Sequence, residues 1–476
     1  MEPRAFWERF EELTTIPRPS RHEDAALEWA RAWGEERGYR VRQDAARNLV
    51  FDVPATPGRE SAPMVVLQGH LDMVCERRPD SPNDPAEGRI ELVVDGDWLR
   101  TNGTTLGADD GVAIAAMMAF VEDESLPHGP LQLLMTVAEE VGLEGANGLD
   151  GSLVDGTILL NLDSGQDGRL TVGCAGSTDT WLRVAQPREP VDADDVSLVV
   201  TASGGLGGHS GGNIHLGRAN AIKVLGRVLR EAHARVPFRL VSLDGGKSRN
   251  AIPRDVRTVV SVSRERADEL RASFETAAAG IRDTYAKSDP GVTVSVASTD
   301  GAGDAWTETD TGKLLDTIAL VPTGPIAMDP AFGVVETSTS LGQAVTEGDT
   351  LALQSLTRSS NDAALPAVIA TLDAAARLAG GELEVKHNYG GWRPNLDSPV
   401  LATAQDVYER LFATQPIVTV VHGGVEPAVI GDKVPGLDMI SFGPQIEAPH
   451  SPDERLGIAS VERFWRLLAA ILDELS

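Results

Sequence analysis

Three short apolar runs, Met64-Val-Val-Leu-Gln68, Leu131–Val137 and Thr157–Leu162, recur early in the chain with helical stretches such as Gly111–Glu122 between them. Continuous apolar runs of this length, without polar alternation, mark strands covered on both faces, as in a mostly parallel sheet flanked by helices. The amino terminus supplies two such helices. Residues 4–14 place Phe6, Trp7, Phe10 and Leu13 at helical spacing, and a second periodic segment runs from Glu23 to Arg37 before Gly38 stops it. Between them lies a Pro-containing loop, Thr15–Ser20, with Ser20 the expected helix cap. The fold class is α/β.

Around Val184 the texture changes. Val196–Ala202, Val256–Val262 and Val292–Val296 are alternating or β-branched, and two long helical patterns, Asn220–Ala234 and Arg266–Tyr285, separate them. Strand–strand–helix segments follow from Ile326 through Leu351–Leu356 to Leu372–Leu378. The α/β pattern then returns with Glu382–His387, a helix over Pro399–Phe412, strands at Ile417–His422 and Asp438–Phe442, and a final helix from Ser460. The expected organisation is a discontinuous domain with a mixed, mostly parallel sheet, made of residues 1–185 and 383–476, and an inserted α+β domain over 186–382.

Lys and Arg number 42 against 71 Asp and Glu in the 476 residues, a formal charge of −29. Such a surface repels nucleic acid and anionic lipid at long range and attracts cations. Two cysteines about a hundred residues apart, Cys75 and Cys174, offer neither a disulfide framework nor a thiolate zinc site. The amino terminus lacks the apolar core of a secretory signal, and the longest apolar run, Gly111–Val121, is far below the roughly 18 residues of a membrane span. A cytoplasmic location is expected.

Five segments put histidine or carboxylates just beyond predicted strands or at a helix start. They are Gly-His70-Leu-Asp72, Gly-Ala-Asp109-Asp110-Gly, Ala-Glu139-Glu140-Val, Asn-Leu-Asp163-Ser and Pro-His450-Ser-Pro-Asp-Glu. Open α/β sheets bind ligands in the crevice at the carboxyl ends of their strands. Each segment alone has an ordinary explanation: a turn, an N-cap, a capped strand end. Adjacent carboxylates closing an apolar strand, however, need compensation. Two histidines with several carboxylates suit divalent metals, zinc first, with manganese and cobalt as alternatives. No GxGxxG or Walker signature points to a dinucleotide or nucleotide enzyme.

These strings, with Gly-Cys-Ala-Gly and Gly-Gly-His-Ser-Gly-Gly, resemble the co-catalytic zinc peptidases of the aminoacylase/carboxypeptidase family, and within it the aminoacyl-histidine (Xaa-His) dipeptidases, the carnosinase-like branch. The resemblance spans about Ile16 to Leu456. It implies two metals bridged by Asp109, one completed by His70 and Asp163, the other by Glu140 and His450. Glu139 would be the general base toward a water shared by the metals, and Asp72 would orient His70. His209, in the glycine-rich loop of the inserted domain, would stabilise the oxyanion, often from the partner subunit. Asn250, Arg254 and Arg358 would hold the carboxylate of a dipeptide, and Glu426 its ammonium. The inserted domain would act as lid and dimerisation domain. The departures from the pattern are Pro427, where a Cys is frequent, and Cys75, where a Pro is common.

The implied function is hydrolysis of unblocked dipeptides with histidine, as in β-alanyl-histidine, on the C-terminal side. N-acyl amino acid deacylation on the same fold and a catalytically inactive binding protein are the competing readings. Four further histidines, His22, His128, His233 and His387, are expected to be solvated.

Overall fold

The structure is a computed structural model and describes residues 1–300 and 303–476. The chain forms two compact units. The first comprises residues 1–174, 392–420 and 425–476, and the second residues 175–391 and 421–424.

An eight-stranded sheet organises the first unit, in the order Arg40–Gln43, Leu49–Val53, Leu131–Thr136, Val65–His70, Ile158–Asn161, Asp438–Ser441, Arg169–Cys174 and Ile417–Val421. Its four inner strands, from Leu131–Thr136 to Asp438–Ser441, are parallel. The flanking ladders at Leu49–Val53 and Arg169–Cys174 are antiparallel. Every residue of Val65–His70 and Leu131–Thr136 is buried, as strands covered on both faces must be.

Helix Ala108–Glu122 has no polar face, and Gly111 through Phe120 are all buried. It lies between strand Val65–His70 and helix Arg4–Leu13. The latter turns Phe6, Trp7, Phe10 and Leu13 inward. Each such side chain contributes about 1.5–3 kcal/mol of burial. Helix Asp24–Glu36 departs from expectation. Its N-cap is Glu23, without a side-chain cap, while the Ser20 hydroxyl donates to Asp72 Oδ2 at 2.8 Å. Ser20 is taken by a tertiary acceptor.

The second unit is built on a nine-stranded antiparallel sheet that includes Asp195–Ser203, Val256–Ser263, Arg239–Gly245, Val334–Glu347 and Thr350–Ser359. Helices Ala221–His233, Ala267–Tyr285, Glu308–Leu320 and Leu365–Leu378 supply the remaining apolar surface of its core. Asn220 caps the first of these by accepting from the amides of Ile222 and Lys223. Strand Gly176–Ala185 pairs with Thr350–Ser359 on one side and Glu382–Tyr389 on the other. Those ladders carry the unit outward to residues 175 and 391, beyond the bounds expected from hydropathy. No helix among the described residues is long and apolar enough to cross a membrane.

Gly69 lets helix Ala108–Glu122 approach strand Val65–His70. A Cβ there would stand 2.5 Å from that of Ala113 and also crowd Asp110 Oδ2. Gly69→Ala is expected to lower unfolding stability by about 1–3 kcal/mol in urea denaturation. An unchanged midpoint would mean that the helix lifts away at no cost.

Candidate metal centre

Three adjacent parallel strands deliver the first groups. His70 is the last residue of its strand, Asp163 follows Ile158–Asn161, and Glu139 and Glu140 follow Leu131–Thr136. All leave the sheet at its carboxyl edge, where parallel strands expose their unpaired ends. Asp109 enters from the start of helix Ala108–Glu122, and His450 from a turn that precedes the short strand Arg455–Gly457. Ala138 and His450 take left-handed backbone conformations, φ 50° and 61°. Such conformations cost a non-glycine residue about 1–2 kcal/mol each, and here they turn Glu139 and the His450 ring toward the sheet edge.

Asp109 lies between the two imidazoles. Its Oδ1 is 3.2 Å from His70 Nε2 and its Oδ2 3.1 Å from His450 Nε2. His450 Nε2 is also 2.8 Å from Glu140 Oε1, and His70 Nε2 is 3.9 Å from Asp163 Oδ2 and 4.0 Å from Glu139 Oε2. The cluster grades from floor to rim: the His70 side chain is 1% exposed, Asp109 22% and His450 47%.

Asp72 organises this arrangement from behind. Its carboxylate accepts the backbone N–H groups of Glu139 at 3.0 Å and Glu140 at 3.2 Å, and lies 3.4 Å from His70 Nδ1. With Nδ1 facing Asp72, the His70 ring turns Nε2 toward Asp109. Burial opposes ionisation of Asp72, but His70, the Glu139 amide and Ser20 bring it to about 2. Asp110, the neighbour of Asp109, is fully buried and accepts the His70 backbone N–H at 3.0 Å, while its Oδ1 has no hydrogen-bond partner.

The electrostatics call for a cation. Burial, then neighbouring carboxylates, raise Asp110, Glu139 and Asp163 well above the ordinary range. Burial also disfavours the charge on Asp109, yet His450 and His70 more than reverse it and lower its pKa. His450 is in turn raised to about 10 by Asp109 and Glu140. Without a metal the cluster is balanced by protons, which a dication displaces. Two donor groups, His70 with Asp109 and Glu140, and His70 with Asp110 and Asp163, each keep their ligand atoms within 4.8 Å of one another. Imidazole nitrogens and carboxylate oxygens in this number fit a borderline-to-hard divalent ion.

The second unit gathers its own polar group. Residues 208–210 run beside 250–252 through Ser210 N–H to Asn250 O and Ile252 N–H to Gly208 O, which brings His209, Asn250 and Arg254 onto one loop pair. His209 Nδ1 accepts from the amides of Gly211 and Gly212, so the ring proton resides on Nε2. Arg254 Nε donates to Gly205 O at 2.9 Å. Arg358 is buried on its strand opposite Ser338, whose hydroxyl is 2.7 Å from His422 Nε2. Burial, with Arg358 and His209 nearby, lowers His422 to about 4 and keeps it neutral. Sequence reasoning gave His422 no role, although the Gly-Gly that follows it was a signal. It also passed over Arg18 and Glu454, two buried charges beside the centre.

Some expectations need correction. His128 packs against Phe120, with ring centroids 5.8 Å apart, and its Nδ1 donates to Gly129 O at 2.7 Å; His233 packs edge-on to Phe238. His128 is buried and His233 half-buried, because aromatic rings a few residues away cover them. His22 is exposed. The side chain of His387 lies outside the described residues.

Glu426 opens helix Glu426–Lys433 and is buried, at 0% exposure. Its Oε2 accepts from Gln68 Nε2 at 2.5 Å and Thr136 Oγ1 at 2.7 Å. Burial pushes its pKa from 4.5 to about 7. In metal-free protein the native state therefore binds an extra proton between those values, and stability falls as pH rises through that window. Glu426→Gln should remove the loss. Its stability relative to the parent chain, by urea unfolding, should grow by up to about 3 kcal/mol from pH 4.5 to 8. A raised KM with an unchanged stability profile would instead restore Glu426 to the substrate.

The match to known proteins covers the whole chain. A sequence profile for peptidase family M20/M25/M40 matches residues 66–474. The cytosol non-specific dipeptidase of Escherichia coli K12 is 36% identical over 476 residues, 100% of this chain and 98% of that protein. The crystal structure of aminoacylhistidine dipeptidase from Vibrio alginolyticus superposes with a TM-score of 0.88 at 35% identity, covering 100% of this chain and 97% of that one. At 17% identity, aminopeptidase PepT from Bacillus cereus shares the fold, with a TM-score of 0.61 and 99% and 98% of the two chains covered. The chain belongs to peptidase family M20/M25/M40.

Proposed function

We propose that this peptidase is a two-metal dipeptidase that hydrolyses unblocked dipeptides, preferring histidine on the C-terminal side. Full-length similarity to two dipeptidases supports the reaction, and the name of the Vibrio protein supports the histidine preference. The observation that carries the proposal is Asp109, whose two carboxylate oxygens face one histidine each, with Glu139 beside them.

In this reading Asp109 would be shared by two ions, His70 and Asp163 would hold one with it, and Glu140 and His450 the other. Divalent cations held there, zinc foremost, supply Lewis-acid polarisation of the amide carbonyl and lower the pKa of water. Glu139 accepts the proton of the attacking water and delivers it to the departing amine. Asp72 keeps Glu139 and His70 aligned through the contacts described above. His209, with its proton on Nε2, is a donor suited to a developing oxyanion. Asn250, Arg254 and Arg358 are assigned to the dipeptide carboxylate, which a guanidinium grips with two parallel bonds. A homodimer formed through the second unit, acting in the cytoplasm, completes the proposal.

Product release from β-Ala-His, Gly-His, Leu-Leu and an N-acetyl amino acid by zinc-loaded protein tests the substrate. Free histidine from the first two, abolished by a chelator, is expected. Turnover of the acetylated compound alone would move the function to deacylation.

Two variants test the roles. Glu139→Gln should retain bound metal and lose about 10²–10⁴ in kcat. Asp109→Ala should lose both ions together in metal analysis, and retention of two would place the bridge elsewhere.

A further inference from the structure

Two buried charges of opposite sign meet at one glycine beside the candidate metal centre. Glu454 is 2% exposed and accepts four successive backbone N–H groups: Leu106 at 2.7 Å and Gly107 at 3.0 Å on Oε2, Ala108 at 2.9 Å and Asp109 at 3.3 Å on Oε1. Arg18 is 1% exposed. Its Nη1 donates to the carbonyls of Leu71 and Asp72, each at 3.0 Å, and its Nη2 to that of Gly107 at 2.6 Å. Gly107 is thus held by its N–H on Glu454 and by its C=O on Arg18. It has φ 71°, and a Cβ would stand 2.5 Å from Arg18 Nη2 and 2.9 Å from Met73 Sδ. Only glycine fits there.

We infer that Arg18 and Glu454 are positioning residues, a buried clamp on Gly107 that sets His70, Asp109 and His450 in register before metal binds. The inference rests on the proposed reading of the centre. Arg18 grips the carbonyls immediately after His70, and Glu454 grips the amide of Asp109 itself. His450 and Glu454 share one turn, closed by Glu454 N–H to Ser451 O at 3.0 Å and Ser451 Oγ to Ala448 O at 2.8 Å. That turn therefore touches Asp109 twice, at its amide through Glu454 and at its carboxylate through His450. Four converging amides at a helix start form a natural anion site. Here the chain fills it with its own carboxylate, so neither Asp109 nor a solvent anion can fold into it.

The contacts also separate positioning from general packing. Buried charges are seldom the most stabilising way to fill a core, and apolar side chains of equal volume often do better. Each of these two charges instead addresses backbone groups of ligand-bearing segments, Arg18 after His70 and at Gly107, Glu454 at Leu106 through Asp109. Removing such an outer contact typically weakens metal binding about 10–100-fold.

Glu454→Gln tests the clamp, because its amide turns N–H groups toward two backbone donors. Cobalt(II) affinity, measured by competition with a chromophoric chelator, should fall about 10–100-fold. The visible cobalt bands should shift, and excess cobalt should restore much of the lost kcat. Glu454→Asp, which keeps the charge one methylene shorter, should fall between. Unchanged affinity and bands in a folded Glu454→Gln protein would overturn the inference.

Should that variant not fold, hydrogen exchange on the parent chain decides. Protection of the 106–109 amides in metal-stripped protein supports the clamp, whereas protection that appears only with cobalt overturns it. Parent protein that binds no metal would defeat the proposed function instead, and the exchange measurement would still judge the clamp.

Discussion

Mutual repulsion among carboxylates at one sheet edge is the constraint around which the first unit is arranged. Asp109, Glu139, Glu140 and Asp163 converge there with only His70 and His450 as cationic partners among the ligand candidates. Burial makes that charge expensive, as the raised pKa values of Glu139 and Asp163 show. A chain that tolerates the arrangement must hold it rigidly and fill it with compensating charge. The all-buried strands Val65–His70 and Leu131–Thr136 give the rigidity, and the metals proposed for the site give the charge.

Rigidity at the sheet edge does not by itself aim side chains. Left-handed Ala138 and His450, the carboxylate of Asp72 under the Glu139 and Glu140 amides, and the grip of Arg18 and Glu454 on Gly107 do so. These contacts join segments far apart in the chain, residues 18, 72, 107 and 454 among them. In the second unit the same economy of backbone bonding orients His209, whose Nδ1 is occupied by two loop amides. Ligation and orientation are thus separate tasks given to separate residues.

Much of this was legible in sequence. Continuous apolar runs announced the inner strands because a strand covered on both faces has no polar side to show, and the carboxylates that end them stood out against that background. Local patterning failed where a distant partner decides. Ser20 looks like a cap but bonds Asp72; Glu426 looks available but is buried, its Oε2 taken by Gln68 and Thr136. The outer strands of the second unit were assigned to the first, since hydropathy cannot say which neighbour a strand will pair with.

Sequence alone therefore determined the α/β class, the family resemblance and the positions that carry the candidate ligands, because periodicity and motif are properties of neighbouring residues. Tertiary structure decided which oxygen of Asp109 meets which histidine, that Glu426 is buried, and that Arg18 and Glu454 meet at Gly107. Those facts depend on how segments hundreds of residues apart pack, and packing is set by three-dimensional volume and hydrogen-bond geometry that no local pattern encodes.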